Sequence, residues 1–119
     1  MPLTPKTTRR AIVGGPRTAG RYLEAGSTLV PIMAAVTRLG RSLSADVELD
    51  DATVSRRHAL IVRQDGETIL LDDGSRNGTW HNGVRVHRAV LKDGDTIALG
   101  GAHLRYVEVV EIATELIAA

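Results

Sequence analysis

Beyond residue 20 the chain is a succession of short Val-, Leu-, Ile- and Ala-rich runs, several alternating apolar with polar residues, each cut off by Gly, Asn, Asp or Pro. A period of two places successive side chains on opposite faces of a strand. The pattern predicts strands at residues 21–25, 28–39, 46–49, 58–63 and 68–72, around Trp80, and at 84–86, 89–91, 96–99 and 104–110. Pro31 falls inside the second run, which points to a sheet edge or a bulge, because proline cannot donate to a ladder. Gln64-Asp65-Gly66 predicts a tight hairpin between the runs at 58–63 and 68–72. Asn77-Gly78 and Asn82-Gly83 predict two further turns of this kind, with positive φ at both central residues. Short strands with frequent turn signals, and no helical segments between them, predict an all-β fold, a two-sheet β-sandwich. Only residues 111–119 have helical composition, and they read as a short C-terminal tail.

Composition narrows the core. Among 119 residues there is no Phe, one Trp and two Tyr, so the interior must be built from Val, Leu, Ile and Ala. That set suits strands packed face to face. The length accommodates one domain with a tail. The absence of Cys excludes disulfides, thiolate metal sites and cysteine nucleophiles, and it fits a reducing compartment. The most apolar stretch, residues 28–36, is too short to cross a bilayer. The basic start leads into Gly14-Gly15-Pro16 rather than an apolar signal region, so a cytoplasmic protein without membrane association is expected.

The formal net charge of +1 is unevenly placed. Residues 1–21 hold Lys6, Arg9, Arg10, Arg17 and Arg21 and no acid, while the rest holds ten basic and fourteen acidic residues. With its three prolines and no hydrophobic periodicity, the stretch 1–20 is expected to be a disordered basic arm ahead of a domain at 21–110. Attachment of this arm to nucleic acid is the weaker reading, because no aromatic residue interleaves with the arginines.

Three short loop sequences carry the candidate chemistry. Gly40-Arg41 follows an apolar strand end, and Arg41 offers a forked, permanently charged donor suited to a phosphate. Taken alone, it reads first as a surface arginine after a turn glycine. Val54-Ser55-Arg56-Arg57-His58 supplies a short hydroxyl, two more cations and a run of backbone amides able to line an anion-binding hollow. Ser75-Arg76-Asn77-Gly78-Thr79 adds a further arginine and an amide that can both donate to and accept from an extended peptide. Ser55 and His58 do not make a catalytic pair on spacing alone, and no Gly-x-Ser-x-Gly elbow surrounds Ser55. The four histidines at 58, 81, 87 and 103 lack metal-ligand spacing, and the acidic run at 46–51 lacks the pattern of a calcium loop. No enzyme activity, metal or cofactor is therefore expected.

In this order, and followed by Asn82-Gly83 and Asp93-Gly94-Asp95, these motifs resemble the forkhead-associated (FHA) domain across residues 21–109. The resemblance implies a sandwich with its binding loops at one end and a phosphothreonine peptide as ligand. It assigns the phosphate to Arg41 and Ser55, added charge to Arg56 and Arg76, and the peptide main chain to Asn77. Gly40, His58, Gly78 and Asn82 support the loops, and Arg57 faces solvent. It also implies partners in Ser/Thr-kinase signalling, the kinase or its substrate, and it allows Thr7 or Thr8 to be a self-docking phosphorylation site. The contrasting reading is a phosphate-independent interaction or oligomerisation module on the same sandwich, using the apolar stretch 28–36. The partner, the residue preference after the phosphothreonine and the oligomeric state are not legible.

Overall fold

The computed structural model describes residues 19–110. Most of the expected arm, including Thr7 and Thr8, and the tail 111–119 lie outside the described residues. Eleven strands are present among the described residues. The first five are β1 (Gly20–Ala25), β2 (Thr28–Pro31), β3 (Val36–Gly40), β4 (Val47–Glu48) and β5 (Ala59–Gln64). They are followed by β6 (Glu67–Asp72), β7 (Thr79–His81), β8 (Val84–Val86), β9 (Arg88–Val90), β10 (Thr96–Leu99) and β11 (Ala102–Val109). One sheet has the order β2-β1-β11-β10-β7-β8 and the other β4-β3-β5-β6-β9. The fold is the all-β, two-sheet sandwich that the alternation predicts.

The inward set is what alternation selects. Ile61 on β5, Leu70 on β6, Ile97 and Leu99 on β10, and Leu104 and Tyr106 on β11 are buried in one cluster with Leu23, Leu39 and Val54. The polar members of this interior are bonded, as burial requires. The Tyr106 hydroxyl lies 2.7 Å from Glu108 Oε2 and 3.0 Å from Thr68 Oγ1. Burial above all, with Glu108 adding to it against Thr68, pushes this phenol up to about 12.

Two expectations are corrected. The run at 28–39 is not one interrupted strand. Its first part pairs with β1 at a sheet edge, its last part pairs with β5 in the other sheet, and buried Ile32 anchors the crossing between them. Pro31 ends the edge strand, where its missing N–H does least harm. The second correction concerns Asn77-Gly78. Asp65-Gly66 and Asn82-Gly83 have positive φ at both residues, as two-residue hairpins require, but in the 77–78 pair only Gly78 does. That pair closes a longer loop between sheets, from β6 in one to β7 in the other.

Candidate functional site

Strand direction collects the loops. Leu39 at the end of β3 pairs with Ala59 at the start of β5, which also pairs with Asp72 at the end of β6. Thr79 at the start of β7 pairs with Leu99 at the end of β10. The chain segments 41–46, 49–58, 73–78 and 100–101 therefore meet at one end of the sandwich. Backbone bonds tie them together: Arg41 N–H to Ser55 O (3.0 Å), His58 N–H to Leu39 O (3.0 Å) and Gly100 N–H to Gly78 O (3.2 Å). Gly40 is obligatory for a packing reason, since a Cβ there would stand 1.9 Å from Arg56 O. That contact is with backbone, which cannot swing away.

Within this end, Arg41, Ser55, Arg56, Arg76 and Asn77 line one shallow hollow of about 280 Å³, with Thr53 and Val54 beside them. The structure thus brings together all five side chains that the motifs single out for a ligand. Arg41 Nε donates to Val54 O (2.9 Å), which leaves the two terminal nitrogens of the fork to point elsewhere. Ser55 Oγ accepts the Arg76 N–H (3.0 Å), so its own hydrogen is left to donate. Asn77 Nδ2 donates to Thr53 O (2.8 Å), so part of this amide is spent on the loops, and Oδ1 with the second N–H remains. Among the described residues no carboxylate forms an ion pair with Arg41, Arg56 or Arg76. Three uncompensated guanidinium groups around one hollow make a strongly anion-selective surface.

His58 is fully buried beneath this hollow. Its Nδ1 accepts the Ser55 N–H (3.0 Å), so Nε2 carries the hydrogen and donates to Gly78 O (2.8 Å). One neutral ring joins two of the loops. Arg57 points away, four-fifths exposed, with a long contact to Asp73 (3.4 Å). Asn82 lies in the β7–β8 turn. Its Oδ1 accepts the Thr96 N–H (2.9 Å) and its Nδ2 donates to Asp95 Oδ1 (3.1 Å), which braces that turn against β10. Gly78 has positive φ, and its open face is covered by the Arg85 guanidinium.

Two loop organisers were missed by the motif reading. Asp72 accepts hydrogen bonds from the hydroxyls of Ser75 (2.5 Å) and Thr79 (2.7 Å) and from the amides of Gly74 and Ser75. Burial raises its pKa, but those donors outweigh burial and hold it below the usual carboxylate range. Thr53 is the other. Its Oγ1 donates to Asp51 Oδ1 (2.5 Å) and accepts the Gly101 N–H (2.6 Å), while its carbonyl holds Asn77. The hydroxyl and backbone N–H of Thr53 also lower the Asp51 pKa. The available signal was Asx-turn spacing, an Asp two or three residues ahead of Thr53 and Ser75.

Residues 37–100 match the family model described as FHA domain. This chain belongs to the FHA domain family. The matched span of the FHA domain runs from within β3 to the end of β10 and contains every loop of the hollow. Among curated relatives, the oxoglutarate dehydrogenase inhibitor of Corynebacterium diphtheriae is 39% identical over 94 residues, 79% of this chain and 60% of that protein. The glycogen accumulation regulator GarA of Mycobacterium tuberculosis is 35% identical over 105 residues, 88% of this chain and 60% of that protein. The chain therefore spans about three-fifths of the length of these relatives. An FHA structure solved in a structural and functional analysis of phosphothreonine-dependent FHA domain interactions superposes with a TM-score of 0.71 at 30% identity. The superposition covers 76% of this chain and 96% of that one. Among the described residues of this FHA domain, no helix is long and apolar enough to cross a membrane and no group of side chains is arranged to hold a metal ion.

Proposed function

We propose that this FHA domain reads phosphothreonine peptides and recruits the phosphorylated protein in Ser/Thr-kinase signalling. The reading is carried by one observation, the convergence of Arg41, Arg56 and Arg76 on a hollow that also presents the Ser55 hydroxyl and the Asn77 amide. A phosphothreonine brings nearly two negative charges and three strong acceptor oxygens. Arg41 and Ser55 grip the phosphate, Arg56 and Arg76 add charge, and Asn77 Oδ1 accepts from the peptide main chain while its other side bonds Thr53. Gly40, His58 and Gly78 hold these groups in place without touching ligand, whereas Asn82 braces the β7–β8 turn at the opposite end of the sandwich and is not a support of this hollow. The role is recognition without chemistry, in the cytoplasm, by a domain at 21–110. The partner is a phosphorylated protein, either a Ser/Thr kinase or its substrate. Membership in the family of an enzyme inhibitor and a metabolic regulator supports this reading.

Calorimetric titration with a degenerate phosphothreonine peptide pool, its phosphoserine counterpart and its unphosphorylated counterpart tests the assignment. Micromolar-range binding by the phosphothreonine pool and none by the unphosphorylated one is the expected result. Equal binding by all three pools overturns it. A phosphate-independent reading has its own support in the apolar stretch 28–36, where Met33 (80% exposed) and Val36 (38% exposed) face solvent. Concentration-dependent size in solution without phosphopeptide would favour that alternative.

A further inference from the structure

A second hollow, of about 450 Å³, adjoins the first on the outer side of β3 and β5. Arg38, Arg56 and Arg57 line it together with Ser42, Ser44 and Leu60. The two hollows share Arg56. Between them runs the Ser55–Arg56 backbone, fixed by successive bonds from Arg41 N–H to Ser55 O and from Ser42 N–H to Arg56 O (3.3 Å). A chain segment whose phosphate sits against Arg41 and Ser55 meets the second hollow as soon as it crosses that ridge.

The chemistry of the second hollow is distinctive. Asp73 is the one acid among its lining residues, against three arginines. Its contact with Arg57 is 3.4 Å long, on an Arg57 side chain that is 83% exposed. The Arg38 guanidinium reaches Asp46 Oδ2 only at 3.9 Å, while the Arg38 backbone N–H donates to that same oxygen at 2.7 Å. Such exposed, long pairs hold a guanidinium weakly and yield to a better anion. Ser42 Oγ and Ser44 Oγ lie 2.8 Å apart, so one hydroxyl hydrogen bridges them and the other is left to donate outward. Beneath these polar groups the floor is aliphatic, formed by Val36 and Leu60, which sit in adjacent cross-strand rows. Cations above an aliphatic floor complement an anionic side chain beside an apolar one.

We infer that this hollow is a second recognition subsite, which takes an anionic side chain with a neighbouring aliphatic residue from the same segment that carries the phosphothreonine. Both a carboxylate and a second phosphate have the required chemistry. The inference rests on the phosphothreonine reading of the first hollow and deepens it: the partner is phosphorylated within an acidic, aliphatic stretch.

The test uses the full chain and three sets of synthetic phosphothreonine peptides. One set is a short core. The second extends the core with a Glu-Leu pair stepped one residue at a time along either side. The third carries phosphoserine-Leu in place of Glu-Leu. At one or more spacings the extended peptides bind on the order of tenfold more tightly than the core. The set that gains more identifies the anion. In the Arg38→Ala/Arg57→Ala variant, which alters neither Arg41 nor Ser55, the gain falls to less than twofold while core affinity is kept. Arg38→Glu turns the gain into a loss. Should the core bind while no extension improves on it, or should the gain survive in the double variant, the subsite is overturned alone. A core that does not bind wild type overturns the phosphothreonine reading and the subsite with it.

Discussion

The two ends of this sandwich are built from the same parts and finish differently. At each end a depressed-pKa aspartate gathers donors from its own loop, Asp72 beside β7 and Asp95 beside β10. Asp95 takes hydrogen bonds from His81 Nε2 (2.7 Å), the Lys92 N–H (2.9 Å) and Asn82 Nδ2 (3.1 Å). Asn82 then uses its remaining acceptor on Thr96. The loop satisfies itself, and an asparagine-glycine hairpin closes it. At the other end the loops use only half of each group: one nitrogen of Arg41, one lone pair of Ser55, one hydrogen of Asn77. A recognition surface is the end where internal bonding holds each side chain still and leaves its other half to a ligand.

The largest effect that tests this contrast is on affinity. Arg41→Ala is expected to weaken phosphothreonine-peptide binding more than a hundredfold, about 3 kcal/mol or more, by removing one partner of a charged hydrogen-bonded pair. Thermal stability moves far less, since the folded chain loses only the bond to Val54 O. Titration calorimetry beside a melting curve separates the two, and a variant that binds like wild type would place the pocket elsewhere. Next comes His58→Ala. It leaves the Ser55 N–H without its buried acceptor and opens a cavity under two loops, at a cost of about 3 kcal/mol in unfolding free energy. Denaturant unfolding checks the value, and a loss below about 1 kcal/mol would refute the bracing role. Gly40→Ala forces the Arg56 carbonyl to move and costs about 2 kcal/mol, with weaker peptide binding because Ser55 moves too. Were it as stable as wild type, the close approach would be absent in solution.

Sequence alone carried the strands and the set of side chains that meet in the first hollow well, because both depend on local signals. Alternation marks an inward face, and Arg, Ser and Asn beside turn glycines are visible as residue types. What it could not carry was long-range. Residues 28–39 read as one strand because nothing local announces that Val36 will pair with Val62 in a different sheet from Val30 and Leu23. Asn77-Gly78 looks identical to Asn82-Gly83 in sequence. The first is pulled out of the hairpin form because Asn77 bonds Thr53 and Gly78 O bonds His58, partners more than fifteen residues away. Only the Asp51 spacing ahead of Thr53 was a local signal, and the contacts of Thr53 to Gly101 and Asn77 exist only once three loops meet.

The smallest effects belong to the two aspartates, and they divide the ends most cleanly. Each has burial raising its pKa and a larger set of donors lowering it: Ser75, Thr79 and two loop amides for Asp72; His81, Lys92 N–H and Asn82 for Asp95. A carboxylate depressed in the folded chain contributes stability that is complete above its unfolded pKa of about 3.9, and that is lost as pH falls through the lower folded value. Wild type therefore melts at lower temperature once the pH drops below about 4, and Asp72→Asn and Asp95→Asn each flatten that decline while costing about 1 kcal/mol at neutral pH. The pH-dependent melting curves of the three proteins check this, and parallel acid declines would contradict it. Peptide affinity should then split the variants. Asp72→Asn loosens the loop that carries Arg76 and Asn77 and weakens phosphothreonine binding several-fold at neutral pH, because the ordering those bonds supplied must be provided on binding. Asp95→Asn, at the end that closes on itself, leaves affinity unchanged. Equal losses in both variants would mean that the two ends are not independent, and that rigidity of the whole sandwich, rather than of one loop set, prepares the hollow for its ligand.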